Sequence, residues 1–430
     1  MLKIFSISLG CPKNRVDTEH ILGSLGPVRM VQHPGRADLV FINTCGFIQP
    51  AVEESVQNIV QIINRFARLK RRPLLTVAGC LVGRYGAGTL GSELPEVDLW
   101  LDNRELDAWP SMLADALGLA TPDPGRLLST GPSYAWLKIS EGCRHKCSFC
   151  TIPAIRGPLH SMPAEAVLRE ARELVDSGVR ELVLVAQDLG AWGSDTGQKH
   201  GLVSLLEALQ LLPGLAWLRM LYLYPASLNQ RLLDHMREAC ANGPLLPYFD
   251  VPVQHAHPEI LAKMGRPFAR DPRRSFDAIR EKIPAAALRT SLIAGFPGES
   301  EKHFAALEKF VRDLRFNHLG VFCYQPEEGT QAAKLPGQHA EKLKEERRER
   351  IMRIQAEISA EKLEELQGQS MEVLVDAPHP EWPGLHSGRI WSQAPEIDGT
   401  TYVSGPGVRP GALLRAEIVE TRDYDLSALA

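Results

Sequence analysis

Cysteine is scarce in this chain, eight in 430 residues, which excludes a disulfide-built scaffold. No apolar run approaches the roughly 20 residues of a membrane-spanning helix. Neither sign of charge dominates: 48 Lys and Arg face 52 Asp and Glu, a net −4. A globally basic nucleic-acid binder is therefore excluded, although a local basic face is not. The opening MLKIFSISLG carries neither a basic leader nor a small-residue cleavage site, so the expectation is a cytoplasmic protein whose thiols stay reduced. What is present is the balance of an ordinary globular chain, 44% hydrophobic and 23% charged. At about 150 residues per domain, the length predicts two or three domains.

Three patterns follow one another along the chain. KIFSISL, DLVFINT and LLTVAG are short apolar strands of the kind buried in a parallel sheet, and VDLWL (97–101) adds a fourth. With a helix from about Val52 to Arg71, residues 1–122 are expected to form an α/β domain on a parallel sheet. TPDPGRLLSTGPS (121–133) is rich in Pro, Gly, Ser and Thr and supplies a linker, set at residues 123–133. From Ala135 a second βα series begins. Its strands WLKIS, ELVLVAQ, WLRMLYL, YFDVPVQ, LRTSLIAGF and HLGVFCY are separated by helical runs such as Ala164–Ser177, Leu228–Ala241 and Glu301–Leu314. Six such strands predict a partial (β/α)6 barrel within residues 134–366, with function at the C-terminal ends of its strands. The charged stretch Glu341–Leu366, with EKLKEERRER, reads as a solvated amphipathic helix. In residues 367–430, MEVLVDA, HSGRIWS, TTYVSG and LLRAEIVET alternate between Gly/Pro turns and predict a small all-β barrel.

The few cysteines are placed where chemistry is expected. Cys143, Cys147 and Cys150 form CxxxCxxC in SEGCRHKCSFC, directly after WLKIS. A structural zinc site would need a fourth ligand, and His145 lies awkwardly inside the loop. An iron–sulfur cluster held by three thiolates instead leaves one iron open. This spacing after the first strand of a βα barrel is the signature of the radical S-adenosylmethionine (SAM) enzymes. Their open iron chelates the amino and carboxylate groups of SAM, and an electron from the cluster breaks a carbon–sulfur bond. The resulting 5′-deoxyadenosyl radical takes a hydrogen atom that no acid or base removes.

Cys11, Cys45 and Cys80 each follow a predicted strand, in ISLGC, FINTC and TVAGC, at separations of 34 and 35 residues. Parallel strands end at one sheet edge, so the three thiols are expected to converge there. Three unrelated buried cysteines would not repeat the strand–Cys register. Again three ligands leave an open iron, where a sulfur species can bind. Cys240 reads as a small helical apolar residue, Cys323 is ambiguous, and both stay off the ligand list.

With both triads in place, the chain resembles the methylthiotransferase family of radical SAM enzymes over essentially its full length. ISLGCPKNRVDTE, NTCGFIQPAVEES, SEGCRHKCSFCTIPAIRG, DVPVQHAHPEILAKMGRP and GFPGESE are close to its motifs. The resemblance implies an N-terminal cluster domain, a radical SAM domain and a C-terminal TRAM barrel. It implies two 4Fe–4S clusters, SAM as both methyl donor and radical source, and sulfide or polysulfide as the sulfur source. The cluster on Cys143, Cys147 and Cys150 would generate the radical, and that on Cys11, Cys45 and Cys80 would carry the sulfur. Phe149 would pack near the adenine, and Gln187, Gln254, Arg289, Gly295 and Gly298 are candidate SAM or substrate contacts. His255 and His257 near the barrel mouth are expected to make ordinary hydrogen bonds.

SLGCPKN, NTCGFI, LVAQD and APEIDG favour the branch that modifies the β-carbon of an aspartate in ribosomal small-subunit protein twelve. Arg15 and Gln393 depart from that branch, which usually has a leucine and an acid there. The charge of residues 368–430 supports a protein partner: four Arg and no Lys stand against nine acids, and an RNA-tracking barrel should be basic. Trp382 and Trp391 are candidate anchors for such a partner, with core packing as the plain alternative. An external electron donor is implied. Two rivals remain at this point: methylthiolation of an adenosine in transfer RNA, and a non-catalytic two-cluster electron carrier.

Overall fold

The computed structural model describes residues 1–120, 125–198, 201–266 and 271–430. The N-terminal domain runs β1 (Leu2–Ser8), α1 (Pro12–Gly23), β2 (Val28–Met30), β3 (Leu39–Thr44), α2 (Gln49–Phe66), β4 (Leu74–Gly79), α3 (Cys80–Tyr85), α4 (Ala87–Glu93), β5 (Leu99–Asp102) and α5 (Trp109–Leu117). Its sheet has the order β2-β1-β3-β4-β5, every pairing parallel. All six residues of β3 are buried, as a central strand covered on both faces requires. The short edge strand β2 was not foreseen, because three residues carry no period. Helix α2 starts earlier than predicted, with Pro50 in its first turn, and stops at Phe66 before the cationic run and Pro73.

Residues 123–124 of the predicted linker lie outside the described residues. The segment from Gly125 to Ser133 has no regular structure but is tied down. Arg126 bonds Glu19 of α1 at 2.6 Å and, on the side of the following domain, Glu170 at 2.6 Å.

The central domain comprises β6 (Tyr134–Lys138), β7 (Ser140–Glu141), α6 (Ile152–Arg156), β8 (His160–Ser161), α7 (Ala164–Asp176), β9 (Glu181–Val185), α8 (Gly201–Leu209), β10 (Trp217–Met220), α9 (Gln230–Asn242), β11 (Tyr248–Asp250), α10 (Pro258–Lys263), α11 (Arg273–Lys282), β12 (Ala287–Ala294), α12 (Glu301–Leu314), β13 (His318–Cys323) and α13 (Glu341–Glu364). All six predicted barrel strands form. They make two parallel sheets, β10-β9-β6 and β11-β12-β13, joined where Leu218 bridges Leu245. Residues pointing outward, such as Leu137, Leu184, Met220, Phe249 and Leu292, form one core with the helices. The alternate positions carry the buried charges Lys138, Glu181, Arg219 and Asp250 beside an apolar cluster that includes Trp136, Val183, Val185, Trp217 and Tyr248, so the lining of the open barrel is mixed.

One expectation is corrected here. The run EKLKEERRER is not a solvated face throughout, since Lys344 and Arg347 of α13 are buried. Arg347 bonds Glu299 at 2.6 Å, and the Lys344 ammonium bonds the Tyr324 carbonyl at 2.9 Å. Pairing of this kind makes charged burial tolerable, although Arg347 Nε itself has no hydrogen-bond partner.

The C-terminal domain is a closed barrel, β14 (Ser370–Pro378), β15 (His386–Ile390), β16 (Thr401–Ser404), β17 (Leu413–Thr421) and β18 (Leu426–Leu429), in the order β14-β15-β16-β18-β17. The fifth strand, β18, was missed in the sequence. The loop between β15 and β16 docks on the inner face of the central barrel: Tyr134 donates to Glu396 at 2.5 Å, Tyr248 to Asp398 at 2.6 Å, and Arg219 to the Trp391 carbonyl at 2.8 Å. Arg15 pairs with Glu396, so one departure from the family pattern forms an added interdomain contact. Gln393 accepts from the Ile390 amide at 3.0 Å and the Thr401 hydroxyl at 2.6 Å. A carboxylate would accept both bonds equally well.

Candidate active site

The N-terminal triad forms at the sheet edge where β1, β3 and β4 end side by side. Cys11 precedes α1, Cys45 follows β3, and Cys80 opens α3. Gly10 takes φ +85°, and a Cβ there would lie 2.8 Å from Cys45 Cβ and 2.9 Å from its Sγ. The close approach of the first two cysteine loops therefore needs glycine. Asn14 closes the arrangement by donating to the carbonyls of Leu9 and Thr44 at 2.9 Å. Asn103 donates to Cys80 Sγ at 3.2 Å. Burial raises the Cys11 thiol, but Lys13, Arg156 and nearby backbone amides outweigh it and leave it lowered. Burial pushes Cys45 up to about 12, with Cys80 and Cys11 adding to the rise against the Phe47 amide. Burial likewise raises Cys80, against the pull of Arg156.

The second triad lies in the loop after β7. Gly142 takes φ +71°, and a Cβ there would sit 2.0 Å from the Pro158 carbonyl oxygen. The loop is held by Cys143 N–H to Gly157 at 3.2 Å and Ser148 N–H to Met264 at 3.0 Å. The Ser148 hydroxyl adds a bond to Lys263 at 2.7 Å. Gly142→Ala should therefore move the backbone next to Cys143. Its expected result is a lower iron content than in the unaltered protein, checked by iron analysis after anaerobic reconstitution; unchanged iron loading would contradict it. Burial raises Cys143, and pushes Cys150 up to about 12. His145 is engaged elsewhere: its Nε2 lies 2.7 Å from Asp188 and its ring stacks on Tyr224 at 3.6 Å. Among the described residues neither cysteine triad has its sulfurs drawn within 4.8 Å of one another. Such spacing is too wide for one tetrahedral ion.

The two triads face each other across the domain boundary. The hydroxyl of Thr151, next to Cys150, donates to the Phe47 carbonyl, two residues beyond Cys45, at 3.0 Å. Arg156 of α6, fully buried, bonds Glu141 at 2.6 Å, pairs with Asn14, and lies 3.6 Å from Asp17. Lys138 pairs with Asp17 and with Glu141 at 2.9 Å. Arg84 and the Gln49 amide bond Glu327, each at 2.8 Å.

Not every predicted contact joins this assembly. Gln187 does, donating to Glu141 at 2.9 Å. Phe149 packs beside Ile260, Met264, Phe296 and Tyr324. Gln254, at φ +71°, continues the barrel through a bridge to Leu292. A Cβ on Gly295 would lie 2.4 Å from Lys344 Cγ, and one on Gly298 2.7 Å from Lys263 Nζ, so protein groups occupy the space beside both. Arg289 sits near the start of β12 and bonds Asp250 at 2.9 Å and Asp398 at 3.4 Å. It thus joins the contact with the C-terminal barrel and not the cysteines. His255 bonds Glu299 at 3.1 Å and the His257 amide at 2.9 Å.

His257, Glu259 and His303 bring three metal-type ligand atoms within 4.8 Å, yet they do not make a metal centre. Each imidazole accepts a backbone N–H at Nδ1, from Glu259 at 3.3 Å and from Ser300 at 3.1 Å. That fixes the remaining proton on Nε2, the nitrogen a metal would need.

A ribosomal protein uS12 methylthiotransferase RimO of Nitratidesulfovibrio vulgaris (strain Hildenborough) is 66% identical to this chain over 432 residues, spanning 100% of both. The chain belongs to the RimO family. A RimO of Aquifex aeolicus is 42% identical, over 99% of this chain and 96% of that one. Residues 3–102 match an uncharacterized protein family, UPF0004; 137–311 match the Radical SAM superfamily; and 368–430 match the TRAM domain. Among solved structures, the radical SAM methyltransferase TsrM from Kitasatospora setae shares the fold, with a TM-score of 0.55 at 13% identity over 90% of this chain and 78% of that one. The protein is thus a radical SAM methylthiotransferase, and the electron-carrier reading is set aside. Membership of the radical SAM superfamily implies a 4Fe–4S cluster and SAM, and the three free thiols of Cys143, Cys147 and Cys150 fit a cluster with one open iron.

Sequence reasoning missed Asn14, Asp17, Lys138, Glu141 and Arg156. Four of them stand inside the family-like strings ISLGCPKNRVDTE and SEGCRHKCSFCTIPAIRG, which was the signal available; Lys138, at the end of a barrel strand, had only its position.

Proposed function

We propose that the enzyme replaces a hydrogen on the β-carbon of an aspartate in ribosomal small-subunit protein twelve with a methylthio group. SAM serves as both methyl donor and radical source, and sulfide or polysulfide as the sulfur source. The observation that carries this reading is the bond from Thr151 to Phe47, with Arg156 behind it, which holds two three-cysteine sites together at one interface. Two clusters, one on Cys11, Cys45 and Cys80 and one on Cys143, Cys147 and Cys150, are part of the proposal. When bound, they and SAM supply homolytic removal of an unactivated C–H hydrogen and the sulfur that replaces it.

The chain's own residues position and enclose. Asn14 and Asn103 orient the first triad, while Ser148 and Gly142 shape the second. Arg156, Lys138, Asp17 and Glu141 exclude water between them. The acidic C-terminal barrel supports a protein partner: Asp376, Glu396 and Asp398 are spent on internal pairs, but Glu372, Glu381, Glu417, Glu420 and Asp423 remain exposed. An acidic surface disfavours RNA phosphate and suits a basic protein.

The test offers the anaerobically reconstituted enzyme both substrates together, ribosomal small-subunit protein twelve and unmodified transfer RNA, with SAM, sulfide and an external reductant. The expected mass increment falls on the protein aspartate; an increment on the RNA overturns the substrate. Reconstitution is expected to bring about eight irons per chain, and about four in fully active protein would remove the second cluster.

A further inference from the structure

Lys13 stands out among the buried cations at the domain interface. Arg156 and Lys138 share Asp17 and Glu141, and Arg289 has Asp250 and Asp398. Lys13 is 8% exposed, and among the described residues no carboxylate pairs with it. Its ammonium makes one long hydrogen bond, 3.3 Å to the Ala186 carbonyl, and lies 4.4 Å from the centre of the Tyr222 ring. A buried ammonium has three donors to satisfy and a charge to neutralise, and leaving either unmet is costly. Its charge acts on the nearby Cys11 thiol, but with one hydrogen bond made and no carboxylate beside it among the described residues, the ammonium keeps donors for an anionic ligand from outside the chain.

The position narrows that partner. Lys13 lies two residues beyond Cys11. Ala186 and Tyr222 follow the C-terminal ends of β9 and β10, the edge at which such a barrel builds its pocket. The ammonium is therefore held between the sulfur-carrying triad and the barrel mouth, where the target carbon must come. Tyr222 is itself fixed at φ +62°, with its amide bonded to Asp250 at 2.9 Å, so the ring beneath the ammonium is preorganised. An aspartyl β-carbon carries its carboxylate one bond away. A cation beside the sulfur site can hold that carboxylate and turn the adjacent carbon toward the sulfur. An adenine ring offers no such anion.

We propose that Lys13 receives the side-chain carboxylate of the substrate aspartate and so is a specificity-determining residue. This rests on the aspartyl substrate proposed above. The test measures binding of the reconstituted enzyme to ribosomal protein twelve and to its target Asp→Asn variant, for the wild type, Lys13→Met and Lys13→Arg. The wild type is expected to prefer the aspartyl protein about ten- to a hundredfold, the scale of a hydrogen bond to a charged group. Lys13→Met should bring that ratio near one, and Lys13→Arg should retain part of it. Discrimination that persists in Lys13→Met overturns the assignment. So does equal weakening toward both proteins with lower iron content, which would make Lys13 a counter-cation to the cluster. A wild type that binds both proteins equally also overturns it. If the wild type instead methylthiolates only transfer RNA, the substrate reading itself fails, and the two failures are told apart by that product.

Discussion

Cys45→Ala is expected to keep reductive cleavage of SAM and to lose the methylthio product below detection, a drop of about a thousandfold or more. The physical basis is the separation of ligand sets. Cys45 belongs to the edge of the N-terminal sheet, whereas Cys143, Cys147 and Cys150 are held by a loop braced on Met264 and Lys263. Removing one thiol from a three-thiol site leaves two ligands, too few to hold a cluster that already lacks a fourth. Cys147→Ala should give the converse result: no SAM cleavage, and about half of the iron retained in the N-terminal site. Product analysis for 5′-deoxyadenosine and for the methylthio group, run on both variants, reads the division of labour directly. Methylthio product from Cys45→Ala would show that the first triad does not carry the sulfur.

Arg156→Met is expected to destabilise the protein by about 3–5 kcal/mol, the cost of breaking a buried charged network. The guanidinium bonds Glu141 at 2.6 Å and pairs with Asn14 while lying 3.6 Å from Asp17. Without it, two buried carboxylates share the single ammonium of Lys138. A loss of this size is a large part of an ordinary folding free energy. Denaturant unfolding followed in each variant checks it, and a shift below about 1 kcal/mol would show that Lys138 suffices. Arg156→Lys should recover only part of the stability, because one ammonium cannot span Asn14 and Glu141 as a planar fork does. The same substitution should loosen the N-terminal site, since Asn14 loses a partner while still bonded to Leu9 and Thr44.

The six cysteines were legible because their signal is local. A thiol directly after an apolar strand, repeated at the βαβ period, places itself at one sheet edge without any knowledge of the rest of the fold. CxxxCxxC is likewise complete within eight residues. The six barrel strands and the all-β character of the C-terminal domain were readable from period and turn residues for the same reason. Arg289 shows where such reading stops. Its place in an apolar strand was plain, but its neighbours depend on β12 running beside β11 and on a loop from residues 391–399 entering the barrel. Lys344 and Arg347 were read as solvated because a charge run carries no local sign that its partners, Tyr324 and Glu299, lie on other elements.

By itself the sequence determined the three-domain order, the two thiol triads and the acidic excess of residues 368–430. Only the tertiary structure decided how those parts meet: Lys138 with Asp17 across 121 residues, Arg156 with Asn14 across 142, and Arg15 with Glu396 across 381. Strand and ligand signals repeat within a few residues and survive in one dimension. A buried ion pair leaves no pattern along the chain, because its energy depends on two distant groups being dried and brought together at once.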